Sequence, residues 1–117
     1  DNRNKFNFYK DIRKILPLKY KQTTSDDYKK SNFDLCFIDA NHNFSAVSKD
    51  YKNVGINSRF CIFHDINDRF VSQLDKNGTC GFWKKLKKDG KGKSEFKEFL
   101  YHSNNEKVMG IGLRINK

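Results

Sequence analysis

At 117 residues the chain has room for one domain with one modest core. Lys and Arg number 24 against 14 Asp and Glu, a net charge of +10, while 36% hydrophobic and 15% aromatic content excludes an acidic disordered tail or a low-complexity linker. No apolar run approaches the roughly 20 residues that a membrane-spanning helix needs.

In chain order, Phe6, Tyr9, Ile12 and Leu16 recur at helical spacing and predict a helix over Asn4–Leu16 that Pro17 stops. Leu18–Thr24 alternates and reads as a short strand. Ser25-Asp26-Asp27-Tyr28 reads as a turn or a helix start, because Ser and Asp side chains satisfy free backbone N–H groups there. Phe33–Ile38 is a nearly continuous apolar run ending at Asp39, the pattern of a parallel strand buried on both faces. Phe44, Val47, Tyr51 and Val54 form a helical stripe closed near Gly55. A second apolar run, Phe60–Phe63, ends at His64-Asp65. Strand, helix and strand together predict a βαβ unit. Asn67–Gly81 reads as a loop. Phe82, Trp83 and Leu86 mark a helix whose other face is lysine, and Lys88–Lys93 is a turn. Phe96–Tyr101 and Val108–Ile115 predict an antiparallel hairpin turning at Ser103-Asn104-Asn105.

The cysteines, Cys36, Cys61 and Cys80, are odd in number and lack CxxC spacing, which argues against a zinc knuckle or a disulfide framework. Cys36 and Cys61 sit in apolar runs and read as small buried hydrophobes. A reducing, cytoplasmic setting is the expectation. The lysines at 84, 85, 87, 88, 91 and 93 make one end of the molecule positive. That end is either a solvated face or a surface for an anionic partner such as nucleic acid. The scarcity of Arg, the residue of bidentate phosphate contacts, favours the solvated face.

In open α/β sheets, ligands sit beyond the carboxyl ends of the strands. Two neighbouring parallel strands here end in acids, Asp39 and Asp65, about one strand spacing or 5 Å apart. Carboxylates that close repel unless a cation or proton separates them, and Mg²⁺ with its oxygen ligands would do so. His42 and His64 flank the same point, and imidazole is the usual general base near neutral pH. The plainer alternative is that the acids, or Asn41 and Asn43, only cap the next helix and that the histidines are structural.

The segments FDLCFIDANHNFSAVSKDY, FCIFHDI and GFWKKLKK resemble the C-terminal half of class I S-adenosylmethionine-dependent methyltransferases, in particular the small-molecule and sugar O-methyltransferase group. The resemblance covers roughly residues 23–117, with Ala46-Val47, Asp50 and Phe82-Trp83 filling the helix motifs. It implies a Rossmann-like α/β sheet, here partial, with parallel strands and a C-terminal antiparallel hairpin. It implies that Asp39 and Asp65 bind a divalent cation such as Mg²⁺, and that His64 stands where such members often carry another acid. His42 matches a proposed general base. Ser25 and Asp26 match the segment that meets the adenine of S-adenosylmethionine, and Asp1 matches the acid that holds its ribose hydroxyls. The implied reaction is methyl transfer to a hydroxyl of a small molecule or sugar.

The family's glycine-rich cofactor loop has no counterpart in these residues. Met109-Gly110-Ile111-Gly112-Leu113 has no helix after it and is not such a loop; its glycines predict close packing or a bulge. The expectation is therefore one domain, the C-terminal portion of a methyltransferase domain. Its bare sheet edge would be covered by the N-terminal half or by a partner chain. The rival readings are a basic module that binds or methylates nucleic acid, and a non-catalytic remnant of the fold.

Overall fold

A computed structural model of the chain describes residues 14–17, 19, 21–104 and 106–117. The helix expected over Asn4–Leu16 lies outside the described residues except at its end, where Lys14–Leu16 form a turn and a bend. Asp1 also lies outside the described residues.

The strand expected over Leu18–Thr24 is not formed by its described residues, Lys19 and Lys21–Thr24. A strand needs a neighbour for its backbone N–H and C=O groups. Here side chains hold the segment instead: Thr23 donates to Asp27, and Lys21 Nζ lies 3.4 Å from the same carboxylate. The expected turn follows as one 3-10 turn, Ser25–Tyr28.

β1 (Leu35–Ile38) and β2 (Phe60–His64) pair in parallel, with Ile38 opposite Phe63. Between them runs α1 (Phe44–Asp50), which continues through a π turn, Tyr51–Gly55. The predicted βαβ unit is thus formed, with the turn closing at the predicted glycine. A side chain at Gly55 would meet the Tyr51 ring at 2.7 Å and the Cys61 sulfur at 2.9 Å, so the close approach of the turn to β2 requires glycine.

α2 (Gly78–Asp89) starts earlier than its apolar stripe indicates. The segment expected as a loop also holds two 3-10 turns, Val71–Gln73 and Asp75–Asn77. β3 (Ser94–Ser103) and β4 (Glu106–Asn116) form the predicted hairpin. The result is a mixed α/β fold with a four-stranded sheet in the order β1-β2-β4-β3. β4 is antiparallel to both β2 and β3, so β1, β2 and β3 run the same way. The register shift falls between Tyr101 and His102, not at the glycines of β4. Those glycines serve close packing: a Cβ at Gly112 would lie 2.7–2.8 Å from three atoms of the Trp83 ring.

Both helices cover one face of the sheet. Val47, Tyr51, Phe82, Trp83 and Leu86 pack on Ile38, Cys61 and Phe63. The Phe63 ring sits 5.5–6.0 Å from those of Tyr51, Phe82 and Trp83. Phe63 and Trp83 are almost fully buried, and burying an aromatic side chain of this size contributes about 1.5–3 kcal/mol. Buried Arg114 reaches under the sheet to the carbonyls of Gly55 and Ile56, both at 3.3 Å, and to Ser94 Oγ at 3.1 Å. It thereby adds a donor to the Gly55 carbonyl, which also accepts the Ser58 N–H at 3.2 Å, and supplies one to the Ile56 carbonyl at the end of the π turn.

No described element covers the opposite face. β1 is not buried on both sides as its apolar run predicts: Cys36 and Ile38 face the helices, while Leu35 and Phe37 are 56% and 55% exposed. Exposed Phe99, Tyr101, Met109 and Ile111 extend the same face across β3 and β4. The cysteines are free; Cys61 and Cys80 are buried, and Cys36 lies directly opposite Cys61. The hydrogen bond that the Cys61 thiol donates to Cys36, and then burial, push the Cys61 thiol well up, as suits a small core residue. No helix among the described residues is long and apolar enough to cross a membrane.

Candidate metal and acid–base site

Because β1 and β2 are parallel and in register, the chain leaves both strands at the same rim. Asp39 follows the last residue of β1 and Asp65 follows the last of β2. Asp65 has φ of 57°, the left-handed conformation that Asp tolerates better than most side chains. The sharp turn returns Ile66 to the sheet, where its N–H donates to the Gly110 carbonyl at 3.2 Å.

His42 is held between these acids. Its Nε2 lies 3.3 Å from Asp39 Oδ1 and 3.1 Å from Asp65 Oδ2. Its own carbonyl accepts the Thr79 N–H at 3.0 Å, which ties the loop after β1 to the first turn of α2. Gly78 makes that approach possible. Its φ is 51°, and a Cβ there would fall 2.5 Å from the His42 oxygen. One donor atom from each of Asp39, His42 and Asp65 can be chosen so that all lie within 4.8 Å of one another.

His64 contributes differently. Its Nδ1 is 3.0 Å from Asp65 Oδ1 and 3.4 Å from Asp39 Oδ1. Neither contact is aligned as a hydrogen bond, so this nitrogen is buried without a partner. Leaving a buried polar atom unsatisfied costs about 1–3 kcal/mol.

The capping alternative is not what the acids do. Asn43 occupies the cap position of α1 without a side-chain cap bond, and Asn41 Oδ1 accepts the Asn43 N–H at 3.0 Å. The Asp39 carboxylate faces the two imidazoles instead.

Ser25 and Asp26 stand on the 3-10 turn. Ser25 Oγ donates to Asp50 at 2.6 Å and accepts from Asn53 Nδ2 at 3.0 Å. Asp26 pairs with Lys49 at 2.5 Å and with Lys29 at 3.3 Å. The Lys49 hydrogen bond is the main reason its carboxyl is lowered to about 2. Ser25 and Asp39 line one groove of about 630 Å³, with Tyr28, Ala46 and Lys49. That volume is in the range of small-molecule sites.

The structure therefore gathers Asp39, His42 and Asp65 in one cluster with His64 beside it, while Ser25 and Asp26 lie on a separate polar network. Sequence reasoning missed Gly78 and Thr79, although Asn77-Gly78 is a turn signal. It also missed Asn53, whose amide joins the 3-10 turn to the π turn after α1. In comparisons with known proteins, the chain matches no protein family, no curated protein and no solved structure.

Proposed function

We propose that the chain carries the acceptor-side rim of an S-adenosylmethionine-dependent methyltransferase. In this reading it transfers a methyl group to a hydroxyl of a small molecule or sugar, with a divalent cation between Asp39 and Asp65. The observation that carries the reading is the convergence of Asp39, His42 and Asp65 where two adjacent parallel strands end. In a Rossmann-like sheet this is where ligands bind.

The donor set fits a divalent cation. Two carboxylates supply the hard oxygens that Mg²⁺ takes, and the His64 imidazole beside them widens the choice to Mn²⁺ or Zn²⁺. The unpartnered His64 nitrogen beside the acids also fits a site that accepts one more positive or donor group. When bound, such a cation holds substrate oxygens and lowers the pKa of a hydroxyl. The chain's own part is orientation and proton removal. Asp39 and Asp65 place the His42 ring at the rim, and with their carboxylates given over to the cation the neutral Nε2 is assigned the hydroxyl proton. Ser25, on the groove that reaches Asp39, is assigned to the cofactor. The sulfonium already makes the methyl electrophilic, so alignment is the main remaining requirement.

The test is a Mn²⁺ titration of the full chain followed by amide NMR. Paramagnetic broadening should centre on residues 39–42 and 64–66. Asp39→Ala should weaken Mn²⁺ binding by about tenfold or more, a loss of about 1.4 kcal/mol. Its far-UV circular dichroism should stay that of the wild type, because Asp39 is exposed. Unchanged affinity in Asp39→Ala, or broadening elsewhere, would overturn the metal role. Calorimetry with S-adenosylmethionine on the full chain tests the cofactor separately.

A second reading has one observation in its favour: α2 exposes Lys84, Lys85 and Lys88 on the side away from the core. A nucleic-acid-binding role predicts affinity that falls steeply with salt.

A further inference from the structure

Two of the three thiols meet beneath the helices. Cys36 on β1 and Cys61 on β2 are register partners in the parallel pair, and both side chains leave the sheet on the helix-covered face. Adjacent strands lie about 4.8 Å apart, inside the Cα span of about 4.4–6.8 Å that a disulfide bridges. The two thiols already touch, since Cys61 donates a hydrogen bond to the Cys36 sulfur. Joining them asks for side-chain rotation and a small closing of the strands, until the sulfurs stand about 2.05 Å apart.

The two thiols differ in access and in reactivity. Cys61 is fully buried. Cys36 keeps partial exposure on the outermost strand, beyond which no strand follows among the described residues. The Cys61 hydrogen bond holds the Cys36 thiol below its usual value, against burial and the Asp50 charge. The thiolate is the reactive form, so an oxidant meets Cys36 first, with Cys61 directly behind it. Cys80 is engaged elsewhere. Its thiol donates to the carbonyls of Asp65 and Asp68 at 3.3 and 3.5 Å, and burial pushes it up.

We propose that Cys36 and Cys61 are a peroxide-oxidised dithiol, with Cys36 as the attacking sulfur and Cys61 as the thiol that resolves it. In the first step the Cys36 thiolate attacks hydrogen peroxide. An S–O bond forms, the O–O bond breaks, and the hydroxide released takes up the proton that Cys36 had lost, leaving a sulfenic acid. In the second step the Cys61 sulfur attacks the Cys36 sulfur. The S–S bond forms, the S–O bond breaks, and the departing hydroxide takes the Cys61 proton as water. The two thiols lose two electrons, and the peroxide gains them to become two waters. Disulfides in a reducing setting are usually transient or redox-sensing, and an external thiol reverses this one by exchange. The bond ties β1 to β2 ahead of the strand ends that carry Asp39 and Asp65, and it does not depend on the methyl-transfer reading.

The experiment treats the folded, metal-free full chain with hydrogen peroxide, at a dose that fully oxidises glutathione in a parallel tube. Unfolding, alkylation with iodoacetamide and intact mass follow. The untreated chain should take three labels, and the treated chain one, on Cys80, with the Cys36 and Cys61 peptides joined in the peptide map. Dithiothreitol before alkylation should restore all three. Cys80→Ala should still form the bond, and Cys36→Ser should keep both of its remaining thiols. In the chain unfolded in urea the same pair should join at least about tenfold more slowly, because there α1 and its flanking loops separate the thiols. Three labels after treatment, oxygen adducts on Cys36 with Cys61 still labelled, a bond that includes Cys80, or equal rates in folded and unfolded chain would overturn the proposal. Because no Mn²⁺ or S-adenosylmethionine is present, its failure is distinct from failure of the metal site.

Discussion

Single residues decide how closely the elements meet. At Gly112 a Cβ would lie within 2.8 Å of the Trp83 ring, and Trp83 is too tightly packed to yield. Gly112→Ala should therefore destabilise the chain by about 1–3 kcal/mol, read as a lower urea midpoint with unchanged slope. At Gly78 two penalties coincide, a left-handed φ and a Cβ position 2.5 Å from the His42 carbonyl. Gly78→Ala should loosen the loop that holds His42, and so weaken Mn²⁺ binding although no donor atom is removed. Wild-type Mn²⁺ affinity in a folded Gly78→Ala chain would show that the tie to α2 is irrelevant to the site. The residues that supply chemistry, Asp39, Asp65 and the two histidines, were legible because each follows directly on, or ends, an apolar run. Gly78, Thr79 and the left-handed turn at Asp65 were not. Their roles appear only when α2 is laid against the loop after β1.

At the scale of elements, α2 is joined to β3 through one carboxylate. Glu98 accepts the Trp83 indole N–H at 2.7 Å and also takes a bond from Lys87. The Lys87 bond, and then the Trp83 bond, hold its carboxyl below the usual value of 4.5. A carboxyl whose pKa is lower folded than unfolded stabilises fully above its unfolded value and loses this as pH falls through the folded value. Glu98→Gln should thus lower the urea midpoint at neutral pH, and the gap to the wild type should close in strong acid. A gap that persists unchanged at low pH would mean that the ionised form contributes nothing. The helices and the hairpin could be read from apolar periodicity and turn residues. The early start of α2 could not, since Gly78, Thr79 and Cys80 carry no apolar stripe. Nor could the absence of a strand at Lys21–Thr24, because alternation records a preference and pairing requires a neighbour.

For the whole molecule, the main feature is an asymmetric sheet. One face is packed by both helices, while the other exposes Leu35, Phe37, Phe99, Tyr101, Met109 and Ile111. Contiguous apolar surface of this kind marks an interaction face or an aggregation liability. The chain should accordingly bind a hydrophobic dye such as ANS in its folded state. Phe37→Asp with Phe99→Asp should reduce that fluorescence without lowering the melting temperature, because neither side chain belongs to the buried core. Unchanged dye binding in that double variant would place the apolar surface elsewhere. β1 also lies at the end of the strand order, so its outer backbone groups have no strand partner among the described residues. An edge of this kind is the place for further chain or a partner to add.

By itself the sequence determined the succession of strand, helix and strand, the stripe on α2, the hairpin, and the identity of the acids at the strand ends. These follow from local patterns, in which spacing along the chain equals position on an element. Only the tertiary structure decided that β4 inserts between β2 and β3, that Arg114 is buried beneath the π turn, and that α1 and α2 pack on the same face of the sheet, with no described element over the other. It also decided which donors converge at the rim. Such facts depend on contacts between residues far apart in the chain, and no local period records them.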